Sequence, residues 1–101
     1  MKLVVITAIA EFEKEVKKML KNAKVLSYSY RDVKGYRDST EEAIETNWFG
    51  SEMNETESVV FYAFVLQQNL DILFDEVKEF NNKQDSVSHV HLAVLGVEKY
   101  N

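Results

Sequence analysis

Residues 58–66 read S-V-V-F-Y-A-F-V-L, an apolar run dense in β-branched and aromatic side chains, which marks it as a strand. Successive strand residues point to opposite faces, so Val59, Phe61, Ala63 and Val65 form one face and Val60, Tyr62, Phe64 and Leu66 the other. Both sets are apolar. Residues 2–9 repeat the arrangement, with Leu3, Val5 and Ile9 on one face and Val4, Ile6 and Ala8 on the other. Strands that are apolar on both faces need cover on both sides of their sheet, and any fold for this chain has to supply it.

The helices come from period. Phe12, Val16, Met19, Leu20 and Ala23 recur at helical spacing, with Lys14, Lys17, Lys18 and Lys21 on the other faces. Glu11, Glu13 and Glu15 precede those lysines, the order that suits a helix dipole. A second helix is expected from Leu70, Leu73, Phe74, Val77 and Phe80, with Asn69 as its cap and a polar break at Asn81, Asn82 and residues 84–86. Residues 24–33, containing V-L-S-Y-S-Y-R-D-V, read as another strand, and residues 89–97 (H-V-H-L-A-V-L-G-V) as the last.

The order is β-α-β, a long polar stretch, then β-α-β. That is the α+β ferredoxin-like plait: a four-stranded antiparallel sheet with two helices on one face. The 101 residues form a single domain, 1–101, with the loop 31–57 protruding from it. Two helices cover one face only. The simplest cover for the other face is a second copy of the chain, so an obligate homo-oligomer is expected.

The connecting stretch is unusual in length and in charge. Loops this long inside a small domain are uncommon and are mostly functional. Residues 38–57 hold seven acids (Asp38, Glu41, Glu42, Glu45, Glu52, Glu55, Glu57) and no lysine or arginine, while the rest has twelve bases against ten acids. The net charge of −5 therefore belongs to the loop, and it argues against nucleic acid as a partner, which requires a basic surface. The chain contains no cysteine, which excludes disulfides, thiolate metal sites and a cysteine nucleophile. The apolar N-terminal run is short and is followed at once by acids, so it reads as a strand and not a leader; the expected location is the cytoplasm, with no insertion into a membrane.

At the exit of the second strand stands D-V-K-G-Y, residues 32–36. This segment resembles the E-V-K-G-F of nitrogen-regulatory PII signalling proteins, where it opens the long T-loop between strands two and three. The M-K-L-V-V-I start, the chain length and the element order agree with that family. The resemblance implies a homotrimer with small effectors, typically adenine nucleotides (ATP, ADP or AMP), in clefts between subunits. It implies a T-loop that engages a target protein, as in family members that regulate membrane transporters. Carried over by position, Val33, Lys34, Gly35 and Tyr36, with Arg37 beyond them, would line the ligand cleft.

The chain departs from the family in three places, the first being Arg37 and Asp38-Ser39, where the family continues after the aromatic with glycine and a basic, glycine-containing stretch. The Gly-rich G-x-G-K phosphate-binding segment between helix two and strand four is replaced by N-N-K-Q-D-S-V-S, and the tail has Glu98-Lys99-Tyr100 where the family has an arginine pair. A phosphate cradle needs glycine N–H groups and positive charge, so the standard phosphate-binding loop is absent.

Three sets of residues carry candidate chemistry. Lys34 and Gly35 place a cation beside unobstructed backbone. Trp48 and Phe49, among acids that include Glu41 and Glu42, have the character of partner-binding anchors. His89 and His91, two apart on a strand, point to one face and are candidate metal ligands. No nucleophile motif surrounds Thr7, Ser27 or Ser29, and no P-loop or G-x-S-x-G occurs, so a non-enzymatic regulatory protein is expected. The alternatives are a CutA-like trimeric metal-binding protein, using His89 and His91 or the loop acids, and a small ferredoxin-like enzyme.

Overall fold

The computed structural model describes residues 1–36 and 55–101. Strand β1 (Lys2–Ile9) leads through a short 3-10 turn (Ala10–Phe12) into helix α1 (Glu13–Asn22). Strands β2 (Ser29–Tyr36) and β3 (Glu55–Val65) follow, then helix α2 (Gln67–Lys83) and strand β4 (His91–Gly96). The sheet runs β2-β3-β1-β4 and every adjacent pair is antiparallel. The expected α+β plait is the fold observed.

The core lies between the sheet and the helices. Val4, Ile6 and Ala8 of β1 and Val59, Phe61, Ala63 and Val65 of β3 pack against Val16, Met19 and Leu20 of α1 and Leu70, Leu73 and Val77 of α2. Each fully buried aliphatic or aromatic side chain contributes about 1.5–3 kcal/mol. Phe12 and Phe80 meet edge-on at 4.9 Å between the two helices. Tyr30 stacks on Phe61 at 5.2 Å, and Lys17 Nζ donates to the Tyr30 hydroxyl at 2.9 Å, tying α1 to β2. That hydrogen bond, and a second to Glu13, raise the Lys17 pKa.

Among the described residues, much of the opposite face of the sheet is left open. Leu3, Val5 and Thr7 stand across from Phe64, Tyr62 and Val60 on one side and Leu95, Ala93 and His91 on the other. Tyr62, Phe64 and Leu95 are 42%, 60% and 47% exposed, a large apolar surface for a sheet face. Thr7 is buried on this face, and its hydroxyl has no hydrogen-bond partner among the described residues.

Several boundaries differ from expectation. Strand β2 starts at Ser29, because residues 23–25 close α1: Lys24 N–H donates to Lys21 O and Val25 N–H to Leu20 O, at 3.0 and 2.9 Å. This is a Schellman closure with Lys24 at φ 61° where glycine is usual, and with Val25 buried behind it. Residues 34–36 and 55–57, expected in the loop, continue the β2–β3 ladder as far as Tyr36 opposite Glu55. Polar residues at the end of a two-stranded ribbon carry no burial pattern, so periodicity misses them.

Asn69 does not cap α2. The helix begins at Gln67 after Leu66, which makes no side-chain cap, and it runs through the expected break to Lys83. Strand β4 starts two residues late, at His91, because the Val90 backbone is paired to a side chain and not to β1.

Candidate functional site

One end of the sheet gathers the chemistry. There β1 ends at Ile9, opposite Ser58, β2 ends at Tyr36 opposite Glu55, and β4 begins at His91 opposite Thr7. Two clefts open at this end.

The first, of about 460 Å³, is lined by Lys34, Glu11, Glu55, Thr56 and Glu57. Lys34 and Glu57 pair across the β2–β3 ladder, as do Gly35 and Thr56. Gly35 is buried within β2, and among the described residues no glycine has positive φ, so Gly35 continues the ladder and does not form a turn. Val33 is half-buried; Lys34 and Tyr36 are exposed. One ammonium among three carboxylates gives this cleft a negative balance. The Thr56 hydroxyl is buried here without a partner among the described residues. The ligand-binding candidates Val33, Lys34, Gly35 and Tyr36 therefore share one strand end, while Arg37 and the partner-binding candidates Glu41, Glu42, Trp48 and Phe49 lie outside the described residues.

The second cleft, of about 420 Å³, lies between α2 and the edge strand β4. Lys78, His89 and His91 reach it, over Phe74, Val77 and Leu92. Burial, with the neighbouring His89 adding to it, pushes the His91 pKa below its ordinary value. His89 precedes β4, so the two histidines do not share a strand, although both are among the residues lining this cleft. Among the described residues no three His, Cys, Asp or Glu side chains gather into a metal-ligand group.

The segment before β4 is held by amides. Asn81 Nδ2 donates to Val90 O at 2.9 Å and Asn81 Oδ1 accepts from Val90 N–H at 2.8 Å, so the side chain acts as a strand partner. Gln84 Nε2 donates to Ser88 O at 2.5 Å, Gln84 Oε1 accepts from Ser86 N–H at 2.7 Å, and Ser86 Oγ accepts from Ser88 N–H at 3.0 Å. The N–H groups of residues 86, 88 and 90 are thereby occupied within the chain. Lys83, the cation of this segment, is held by Glu79 at 2.6 Å, one helical turn back.

A phosphate cradle needs unoccupied backbone N–H groups and positive charge, and in this segment the N–H groups of residues 86, 88 and 90 and the Lys83 ammonium are already taken. In the first cleft, among the described residues, carboxylates outnumber the single lysine. Lys78 and the bracing role of Asn81 escape a linear reading. The available signal was the density of Asn, Gln and Ser, residues that hydrogen-bond nearby backbone.

No family model matches the sequence, and no curated protein sequence is similar to it. Solved structures are similar in fold. One is the PII-like protein CPII from Thiomonas intermedia K12 bound to ADP, AMP and bicarbonate: 15% identity, 97% of this chain and 94% of that one covered, TM-score 0.60. The same protein bound to ADP, AMP and acetate aligns at 18% identity over 95% and 88% of the two chains, TM-score 0.57. A DUF3240 family protein from Shewanella baltica OS155 aligns at 10% identity over 99% and 92%, TM-score 0.67. Among the described residues no helix is long and apolar enough to cross a membrane. The fold expected from D-V-K-G-Y and the element order is thus the fold observed, and it is the fold shared with these PII-like structures.

Proposed function

We propose that the chain is a non-enzymatic PII-like regulatory protein that works as a homotrimer. It takes a small effector in the clefts between subunits and presents the segment beyond Tyr36 to a target protein. The observation that carries this reading is the apolar sheet face left exposed among the described residues, together with the cleft at Lys34 where the β2–β3 ladder ends. Three copies facing inward cover Tyr62, Phe64 and Leu95 and bring one edge strand near the next subunit. An effector between them touches Val33, Lys34, Gly35 and Tyr36 of one copy, with Arg37 just beyond.

The likeness to CPII, bound to ADP and AMP, supports an adenine nucleotide as effector. Because no phosphate cradle is formed at residues 84–90, the nucleotide is recognised through its base and ribose, so affinity does not climb with phosphate number. Glu41, Glu42, Trp48 and Phe49 contact the target, a membrane transporter reached from the cytoplasm.

Light scattering on the eluting protein and calorimetry with adenosine, AMP, ADP and ATP test the reading. The expected result is a trimer that binds all four within about a tenfold range, a span of roughly 1.4 kcal/mol. A monomer, or no heat with any of the four, overturns it.

A further inference from the structure

We propose that the cleft between α1 and the approach to β2 binds a small dianion with an apolar body, of the class of an aryl or alkyl phosphate monoester. Lys17, Lys18 and Lys21 line this cleft together with Val25, Leu26 and Tyr28, around about 460 Å³. That is the make-up of a small-molecule site, an apolar wall with a few charged groups beside it.

Helical period puts the lysines there. Positions 17, 18 and 21 fall on one flank of α1, while Val16, Met19 and Leu20 turn to the core. Lys17 is already engaged. Its ammonium pairs with Glu13 at 3.2 Å, donates to the Tyr30 hydroxyl at 2.9 Å and lies 4.2 Å from the centre of the Tyr30 ring. It ties the helix to β2 and so fixes the width of the cleft. Lys18 and Lys21 are exposed, and among the described residues neither forms a hydrogen bond or an ion pair. Two like charges one helical turn apart repel, and an anion beside both relieves that repulsion. With Lys17 balanced by Glu13, the two remaining cations match a ligand that carries two negative charges.

The closure of α1 sets the apolar side. Val25 N–H donates to Leu20 O, the Val25 side chain joins the core, and Leu26 is left 85% exposed. A lone exposed leucine is ordinary on a protein surface. This one shares a cleft with Tyr28 and two ammoniums, where a ligand's apolar body would cover it. Tyr28 is itself packed on Phe61, ring centres 5.6 Å apart, so this wall is in place before a ligand arrives.

The inference is independent of the effector proposal. Tyr28 lies just before β2 and Lys34 near its far end, about 20 Å away along extended chain. The intact protein is titrated at slightly alkaline pH, where phosphate monoesters are dianionic, with phenyl phosphate, with inorganic phosphate, and with sodium chloride at matched ionic strength. The Leu26 methyl signals and the Lys18 and Lys21 amide signals are followed by NMR.

Phenyl phosphate is expected to move all of them saturably in the millimolar range, with inorganic phosphate and chloride weaker. Lys18→Gln combined with Lys21→Gln is expected to weaken it about tenfold, the loss of two exposed ion pairs, while arginine at both positions retains it. Leu26→Ala is expected to weaken it about threefold. All three positions are exposed, and circular dichroism checks that each variant folds. Phenyl phosphate shifts no larger than those of chloride overturn the site. Equal binding by inorganic phosphate removes the apolar component, and unchanged affinity in the double glutamine variant removes the cations; either result also refutes the proposal. A smaller particle mass for Leu26→Ala in light scattering would assign Leu26 to a contact between copies and overturn the site as well.

Discussion

Asn81 is a helix residue that does the work of a strand, and removing its amide tests whether the segment before β4 is built as described. Its two hydrogen bonds to Val90, at 2.8 and 2.9 Å, satisfy both backbone groups of a residue that is 2% exposed. Asn81→Ala deletes two bonds of about 1 kcal/mol net each and leaves a buried N–H and C=O without partners, each costing about 1–3 kcal/mol unless water reaches it. With partial access for water at the half-buried position 81, the expected loss is about 3 kcal/mol. For a domain of this size that lowers the melting temperature by roughly 10–20 °C.

Asn81→Asp is the sharper variant. It keeps an acceptor for Val90 N–H but sets a second oxygen against Val90 O, so it recovers no more than half of the loss at neutral pH. The assays are urea denaturation at one fixed protein concentration, because assembly links stability to concentration, and amide exchange at Val90. A loss below about 0.5 kcal/mol in Asn81→Ala, or wild-type stability in Asn81→Asp, would falsify the two-bond brace.

Three further outcomes follow from particular residues. Lys24 sits at φ 61° in the closure of α1, where a side chain costs about 1 kcal/mol relative to glycine, so Lys24→Gly raises stability by up to that amount in thermal melts; destabilisation would contradict the left-handed assignment. Phe64→Glu or Tyr62→Glu places a charge on the exposed sheet face and leaves the helix-side core untouched; light scattering should report smaller particles with unchanged circular dichroism, and an unchanged mass would show that this face is not the interface. His91 has a folded pKa below its ordinary value, through burial and the nearby His89. The unfolded chain therefore binds the proton more readily, and this contribution to stability is complete above about pH 6.5 and is lost as pH falls through the folded pKa. The urea midpoint should decline on acidification in wild type and less so in His91→Gln; equal slopes would remove His91 as the cause.

Much of the fold was legible along the chain because burial leaves a period. Phe12, Val16, Met19 and Leu20 announce α1, and the double-sided apolar runs at residues 2–9 and 58–66 announce central strands, which are the two middle strands of the sheet. Where burial does not alternate, the reading failed. The ends of β2 and β3 beyond Val33 and before Ser58 lack an apolar alternation, and they still pair in register. Of the residues at the two clefts, Lys34 was singled out through a motif and His89 and His91 through their spacing. Lys78 was not found, because a lysine on a helix reads as a solvated face until the neighbouring strand is placed beside it.

By itself the sequence determined the plait, the missing phosphate loop and the need for cover on both faces of the sheet, since each is a matter of residue type at short range. Tertiary structure alone decided which apolar face the helices take: Val59, Phe61 and Ala63 lie inside, while Tyr62 and Phe64 face outward. It also decided that the Asn81 side chain takes the hydrogen bonds of Val90 that β1 would otherwise accept, which delays β4 and sets His89 on the approach to the strand. A hydrophobic pattern states that a residue will be buried. Which partner buries it, and which group satisfies its backbone, depends on distances between segments that are far apart in the chain.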